Sequence, residues 1–283
     1  MYDCNIDNIR KIKQLPVLNG VSQKIIRIIS DDQIELGDVV DIISKSPAIT
    51  ARILRCANSA YFGQRAQISS VREAIIRVLG LKLTCSLSLA MALTGSFNTR
   101  QCSTFNPEQY WTTSITAAIT AQELSSYIKH SDKLEPATAY TAGLLHTIGI
   151  MALTHIFPTE MATIFANNVE SIQQQTQEKL GIDQHQTSTI LANSWNLPES
   201  IVASMNYSNI DSSSDENSTL AAIVCLSSQI ANSFYLHKNC DMQQLKFDKQ
   251  TINAKHVDKV IAEITTQLEG LQEIAQLIIG VQD

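Results

Sequence analysis

One stretch constrains the fold more than any other: residues 137–157, ATAYTAGLLHTIGIMALTHIF, with no formal charge between Glu135 and Glu160. A helix on a protein surface carries its apolar residues on one face, whereas this stretch is apolar all round and has to be covered by other helices. It therefore predicts a central helix, with Pro136 in the first turn, where a missing amide costs nothing. Gly143 and Gly149 each cost about 1 kcal/mol relative to alanine in a helix. Their presence predicts a close helix contact at the first and a break or bend at the second. His146 then points into a crowded interior.

A buried histidine is either a metal ligand or a neutral core side chain bonded to a carbonyl or hydroxyl. A cation that handles phosphate wants carboxylate oxygens beside imidazole, and the next residue, Thr147, brings none. The reading is thus of a structural histidine bonded to a neighbouring hydroxyl.

At 283 residues the chain is long enough to bury about three quarters of its unfolded surface. Hydrophobic content of 44% and charged content of 17% are those of a globular protein. The six cysteines are scattered, with no CxxC pair, and read as reduced thiols of a cytoplasmic protein. His237 and Cys240 stand at ligand-like spacing without a second pair, which is a weak zinc signal. The amino terminus, MYDCNIDNIRKIKQLP, carries acids early and does not read as a signal peptide. No run reaches spanning length without polar interruption, so no membrane insertion is expected. A net charge of −6 with no concentrated basic field argues against nucleic acid as a main partner.

Helical periodicity recurs along the chain, and strand signals hardly appear. It marks Val21 to Ser30 and Leu36 to Ser44. Ser46-Pro47 starts a helix that Asn58-Ser59 closes. Ser70 and Glu73 form a capping box, Gly80 ends that helix, and Leu81 to Leu93 follows, mostly buried. Asn106-Pro107 starts a long helix through Lys129, whose row Ala117, Ala118, Ala121 lets another helix approach; Trp111 on it reads as core packing. Pro158 opens a helix that runs into SIQQQTQEKLG, and Gln184 to Trp195 and Pro198 to Tyr207 follow. The polar loop Ser208 to Ser218 is the best internal boundary. Beyond it, Leu220 to Tyr235 and Val257 to Ile279 are amphipathic helices.

The run SKSPAITARILRCANSAYFG followed by ISSVREAIIRVLGLK, with LPVLNGV before it and AGLLHTIG and WNLPESIVASM after it, closely resembles HDOD domains, the bacterial HD-related output domain family. The resemblance implies an all-α, HD-like multi-helix bundle, related to HD metal-dependent phosphohydrolases and used as a regulatory or signalling module. It divides the chain into a lead-in at 1–14, an HDOD domain at 15–209 and additional C-terminal helices at 210–283, packed back on the main body.

HD phosphohydrolases hold their metals with histidines and aspartates from several helices. Laid on this sequence, that pattern falls on Thr113, on His146-Thr147, on Gln184, with His185 turned about 100 degrees away on a helix, and on Ser208 and Asn209 after Tyr207. Several ligand positions are therefore neutral. A lost carboxylate ligand costs at least the tenfold to hundredfold of an outer-shell partner, so the expectation is a vestigial site with no catalytic or metal-binding residue and no cofactor. A ligand cavity, if retained, is lined by Trp111, Thr113, His146 and Gln184. The function expected is non-catalytic signal transduction through a protein partner, or a nucleotide. The alternative is a metal-dependent phosphohydrolase with unusual ligands.

Overall fold

The structure, a computed structural model, describes residues 6–13, 18, 20–29, 34–128, 134–167, 171–206, 216–237, 239–249 and 251–280. Among these there are fifteen α-helices and no strand. The first half holds α1 (Ile6–Lys13), α2 (Gly20–Ile29), α3 (Leu36–Ser44), α4 (Pro47–Ala57), the short α5 (Val71–Ala74), α6 (Leu81–Thr94) and α7 (Pro107–Ser126). The second half holds α8 (Pro136–Leu145), α9 (Ile148–Ile156), α10 (Pro158–Ala166), α11 (Ile172–Leu180), α12 (Gln184–Ser194), α13 (Glu199–Ser204), α14 (Glu216–His237) and α15 (Ala254–Ile279).

Local chemistry sets the helix starts. Ser46 accepts from the Ile49 amide at 3.5 Å, with Pro47 at the first position of α4. Asn106 accepts from the Gln109 amide at 3.0 Å and starts α7. Asp183 and Gln186 form a reciprocal capping box at α12. Ser70 caps α5 as expected, but the Glu73 carboxylate reaches back one residue further, to the Ser69 amide at 3.0 Å. After α5 the backbone widens into a π turn, Ile75–Leu79, which Gly80 ends at φ 73°.

Helices α7 and α8 share the centre. α7 packs against α8, α14 and α15, and α8 also meets α6 and α13. The close approach expected at Gly143 is present: a Cβ there would lie 2.7 Å from the Ala118 Cα and 2.8 Å from the Ala117 carbonyl oxygen. A buried bond of 2.7 Å between Ser86 Oγ and Thr141 Oγ1 ties α6 to α8.

The single helix expected over 137–157 is two helices, and its break lies at His146-Thr147, not at Gly149. The His146 ring takes the Gly143 carbonyl at 2.6 Å, in place of the amide that an unbroken helix would bring to it. Gly149 is a second close contact instead. Its amide donates to Ser188 Oγ at 2.9 Å, and a Cβ there would lie inside van der Waals contact of the Gln184 carbonyl and 2.7 Å from the Ser188 nitrogen.

Other boundaries move for similar local reasons. The helix from Pro107 ends at Ser126, and the helix expected from Pro158 into the glutamine-rich tract is two, α10 and α11. The polar loop at 208–218 falls largely outside the described residues. Beyond it, α14 and α15 both lie on α7. The expectation about spanning length needs correction: Pro136–Ile156 and Asn217–Leu236 are long and apolar enough to cross a membrane by length and composition. Of their apolar windows, 83% and 56% are buried inside the protein.

Candidate functional site

The break between α8 and α9 places His146 at the meeting of four helices. Its side chain is 1% exposed. Nδ1 lies 2.6 Å from the Gly143 carbonyl, which only accepts, so Nδ1 carries the proton and donates. Nε2 then accepts from the hydroxyl of Ser228, on α14, at 3.0 Å. Asn232, one turn along α14, donates from Nδ2 to Ser228 Oγ at 3.4 Å. The chain Asn232–Ser228–His146–Gly143 therefore has a single direction, which fixes the imidazole in one neutral tautomer.

Burial is the main reason that the His146 pKa falls to about 4; its bond to Gly143 opposes the fall, and nearby His185 reinforces it. A Ser–His pair at hydrogen-bond distance has the look of a nucleophile and its base. At this pKa, however, the imidazole is a poor proton acceptor at neutral pH, and Nδ1 is held by a backbone carbonyl rather than a carboxylate.

The other expected positions divide. Gln184, 9% exposed, opens α12, and its Nε2 donates to His185 Nε2 at 3.2 Å. His185 is 5% exposed, and burial lowers its pKa. The sequence placed His185 off the ligand direction; the structure buries it near enough to His146 for charge on one to oppose charge on the other. Thr113 is half-buried and gives its hydroxyl to Gln109 on its own helix at 3.0 Å. Thr147 is half-buried at the break. Ser208 and Asn209 lie outside the described residues, as does the side chain of His237.

Trp111 is fully buried and meets Tyr110 edge-on, with ring centroids 5.1 Å apart. The Tyr110 hydroxyl faces Thr147 and Ser114 without reaching bonding geometry with either. A cleft of about 250 Å³ lies between α2, α6, α8 and α13, lined in part by Lys82, Ser86, Glu135 and Thr141. None of Trp111, Thr113, His146 and Gln184 lines it.

Among the described residues, the donor set does not fit a metal centre of the HD kind. Both His146 nitrogens are committed within the protein. The carboxylate nearest in sequence to His185, Asp183, caps α12 by accepting from two amides at 2.7 and 2.8 Å. Among the described residues no three His, Cys, Asp or Glu side chains converge.

Ser228, the partner that α14 supplies, had no sequence signal beyond its place on an apolar helix. Replacing it by alanine leaves the buried Nε2 of His146 without its donor. Ser228→Ala is expected to lower the unfolding free energy by about 2 kcal/mol, and urea denaturation at neutral pH measures it.

Comparison with known proteins places this architecture. The HDOD domain family matches residues 15–210. A candidate signal transduction protein of Marinobacter aquaeolei VT8 has a structure of TM-score 0.79 at 21% identity, covering 99% of this chain and 68% of that one. A candidate phosphohydrolase of Shewanella amazonensis SB2B gives 0.74 at 23% identity, covering 96% and 97%. An HDOD domain protein of Geobacter sulfurreducens gives 0.70 at 21% identity, covering 94% and 98%. A protein of Treponema pallidum (strain Nichols) is 25% identical over 209 residues, 70% of this chain; the chain spans only 38% of that relative's length.

Proposed function

Because this chain belongs to the HDOD domain family, we propose that it is a non-catalytic signalling module that works by contact with a protein partner. The observation that carries the reading is the state of His146. Where an HD hydrolase needs imidazole and carboxylate around cations, this protein offers a histidine bonded on both sides, together with hydroxyls and amides. Hydrogen bonds of that kind build a rigid interior, not a Lewis acid. The solved neighbour described as a signal transduction protein is compatible with the same role. In this reading the module works in the cytoplasm without inserting into a membrane, and its buried thiols, pushed up in pKa, stay protonated there.

The competing reading, an HD-type phosphohydrolase, draws on the Shewanella neighbour. Elemental analysis of protein purified without chelators separates the two. The expected result is less than about 0.1 equivalent of iron, manganese or zinc per chain, a bound metal being nearly stoichiometric at structural affinities. It comes with no phosphatase activity on a generic phosphomonoester above that of a His146→Gln variant. Stoichiometric metal that disappears with His146→Gln, together with activity, overturns the proposal.

A further inference from the structure

The cleft between α2, α6, α8 and α13 is separate from the histidine site, and its lining sorts by chemistry. One wall is aliphatic: Ile28, Ile29 and Ile34 line it half-buried, each keeping part of its surface open, and buried Ile201 on α13 lines it as well. Its most deeply buried polar lining is Ser86 on α6 and Thr141 on α8. Both hydroxyl protons are spent inside the protein. Thr141 Oγ1 donates to the Ala137 carbonyl at 2.9 Å, and Ser86 Oγ has Thr141 Oγ1 at 2.7 Å and the Lys82 carbonyl at 3.1 Å to donate to. An apolar group can rest on such a floor without stranding a donor.

Charge enters the cleft in one place. Lys82, in the first turn of α6, forms an ion pair with Glu135, which precedes α8, and both line the cleft. Their side chains are 42% and 47% exposed, so the pair sits at the rim, where water screens it. A pair of this kind contributes little to stability and opens at small cost.

That pair decides what the cleft can take. A ligand with one charge satisfies one member and leaves the other without its partner. A ligand with a carboxylate and an ammonium on neighbouring atoms pairs with both, the carboxylate at Lys82 and the ammonium at Glu135. Thr138, three residues on from Glu135 and so on the same side of α8, lines the cleft and offers a hydroxyl to the same head group. The volume of about 250 Å³ falls below the roughly 300–1,000 Å³ of drug-sized sites, which calls for a compact molecule.

We propose that this cleft binds an aliphatic α-amino acid, its zwitterionic head between Lys82 and Glu135 and its side chain against Ile28, Ile29 and Ile34. An occupant there touches four helices and gives the signalling module a small-molecule input. The binding does not rest on the histidine site being non-catalytic, so either reading can fail while the other stands.

Methyl NMR of the isoleucine-labelled full chain, titrated with L-leucine, tests this. 3-Methylbutylamine and 4-methylpentanoate carry the same apolar body with one charge each. The expected result is saturable shifts of the Ile28, Ile29 and Ile34 methyl signals with a Kd below about 1 mM, and binding of either analogue at least about tenfold weaker. Lys82→Gln/Glu135→Gln, checked for folding by its urea midpoint, is expected to weaken leucine by at least about tenfold as well. The analogues keep the test decisive even where that variant fails to fold. Signals unmoved up to about 20 mM leucine overturn the proposal. So does equal binding of leucine and either analogue, and so does leucine binding that survives unchanged in the folded variant.

Discussion

Gly149→Ala is expected to lower the unfolding free energy by about 2 kcal/mol, even though alanine is the better helix former. Propensity alone favours the substitution by about 1 kcal/mol. Against that stands a methyl group with no room: its position lies inside contact of the Gln184 carbonyl and 2.7 Å from the Ser188 nitrogen, both backbone atoms of α12. Backbone cannot swing aside as a side-chain tip does, so α9 and α12 must separate. The separation also stretches the bond from the Gly149 amide to Ser188 Oγ. Overpacking of a tight interior costs about 1–3 kcal/mol and occasionally more, and this site belongs at the upper end. Gly37 supplies the control. It lies within α3 with nothing inside 4 Å of its built Cβ, so Gly37→Ala is expected to gain about 0.5 kcal/mol. Urea midpoints of the two variants measure the contrast; a neutral Gly149→Ala would mean that α9 and α12 are not so close.

Acid is expected to destabilise the protein through His146 by about 2 kcal/mol at pH 5 and about 3 kcal/mol at pH 4, relative to pH 7. The folded-state pKa, about 4, lies below the ordinary histidine value of 6.5. The folded protein therefore binds fewer protons than the unfolded chain at pH values between the two. Stability is full above pH 6.5 and is lost as pH falls through the window toward 4. Burial of His185 adds a loss of the same sign. Urea denaturation of wild type and His146→Gln across this range isolates the contribution. The variant starts less stable at pH 7 but should show a shallower slope by the amounts given. Parallel slopes would mean that His146 titrates normally and is not enclosed.

Much of this architecture was legible in residues whose local chemistry has few alternatives. Ser46-Pro47, Asn106-Pro107 and Gly80 mark helix ends because a hydroxyl or amide cap, a proline at the first turn and a glycine at positive φ each satisfy a need of the backbone itself. The Ala117–Ala118 row facing Gly143 was legible for a related reason: small residues on a buried helix have little use other than close approach.

What was illegible depends on partners distant in sequence. The break at His146-Thr147 was assigned to Gly149, because a glycine signals both a bend and a contact, and only the position of α12 decides between them. His146 needed a hydroxyl, and nothing local points to Ser228, 82 residues away. His185 was set aside on the geometry of an ideal helix, whereas the fold buries the first turn of α12 against the same interior.

The most direct test of the central claim, that His146 is held inside the protein by hydrogen bonds and not by a cation, is its own ring. Long-range proton–nitrogen NMR of imidazole-labelled protein at neutral pH reports which nitrogen bears hydrogen and what the other one meets. The account predicts a neutral ring protonated at Nδ1, with Nε2 at the shift of a hydrogen-bonded acceptor, and both unchanged when zinc or manganese is added. A ring whose Nε2 shifts on adding zinc and whose signals vanish on adding manganese would contradict it.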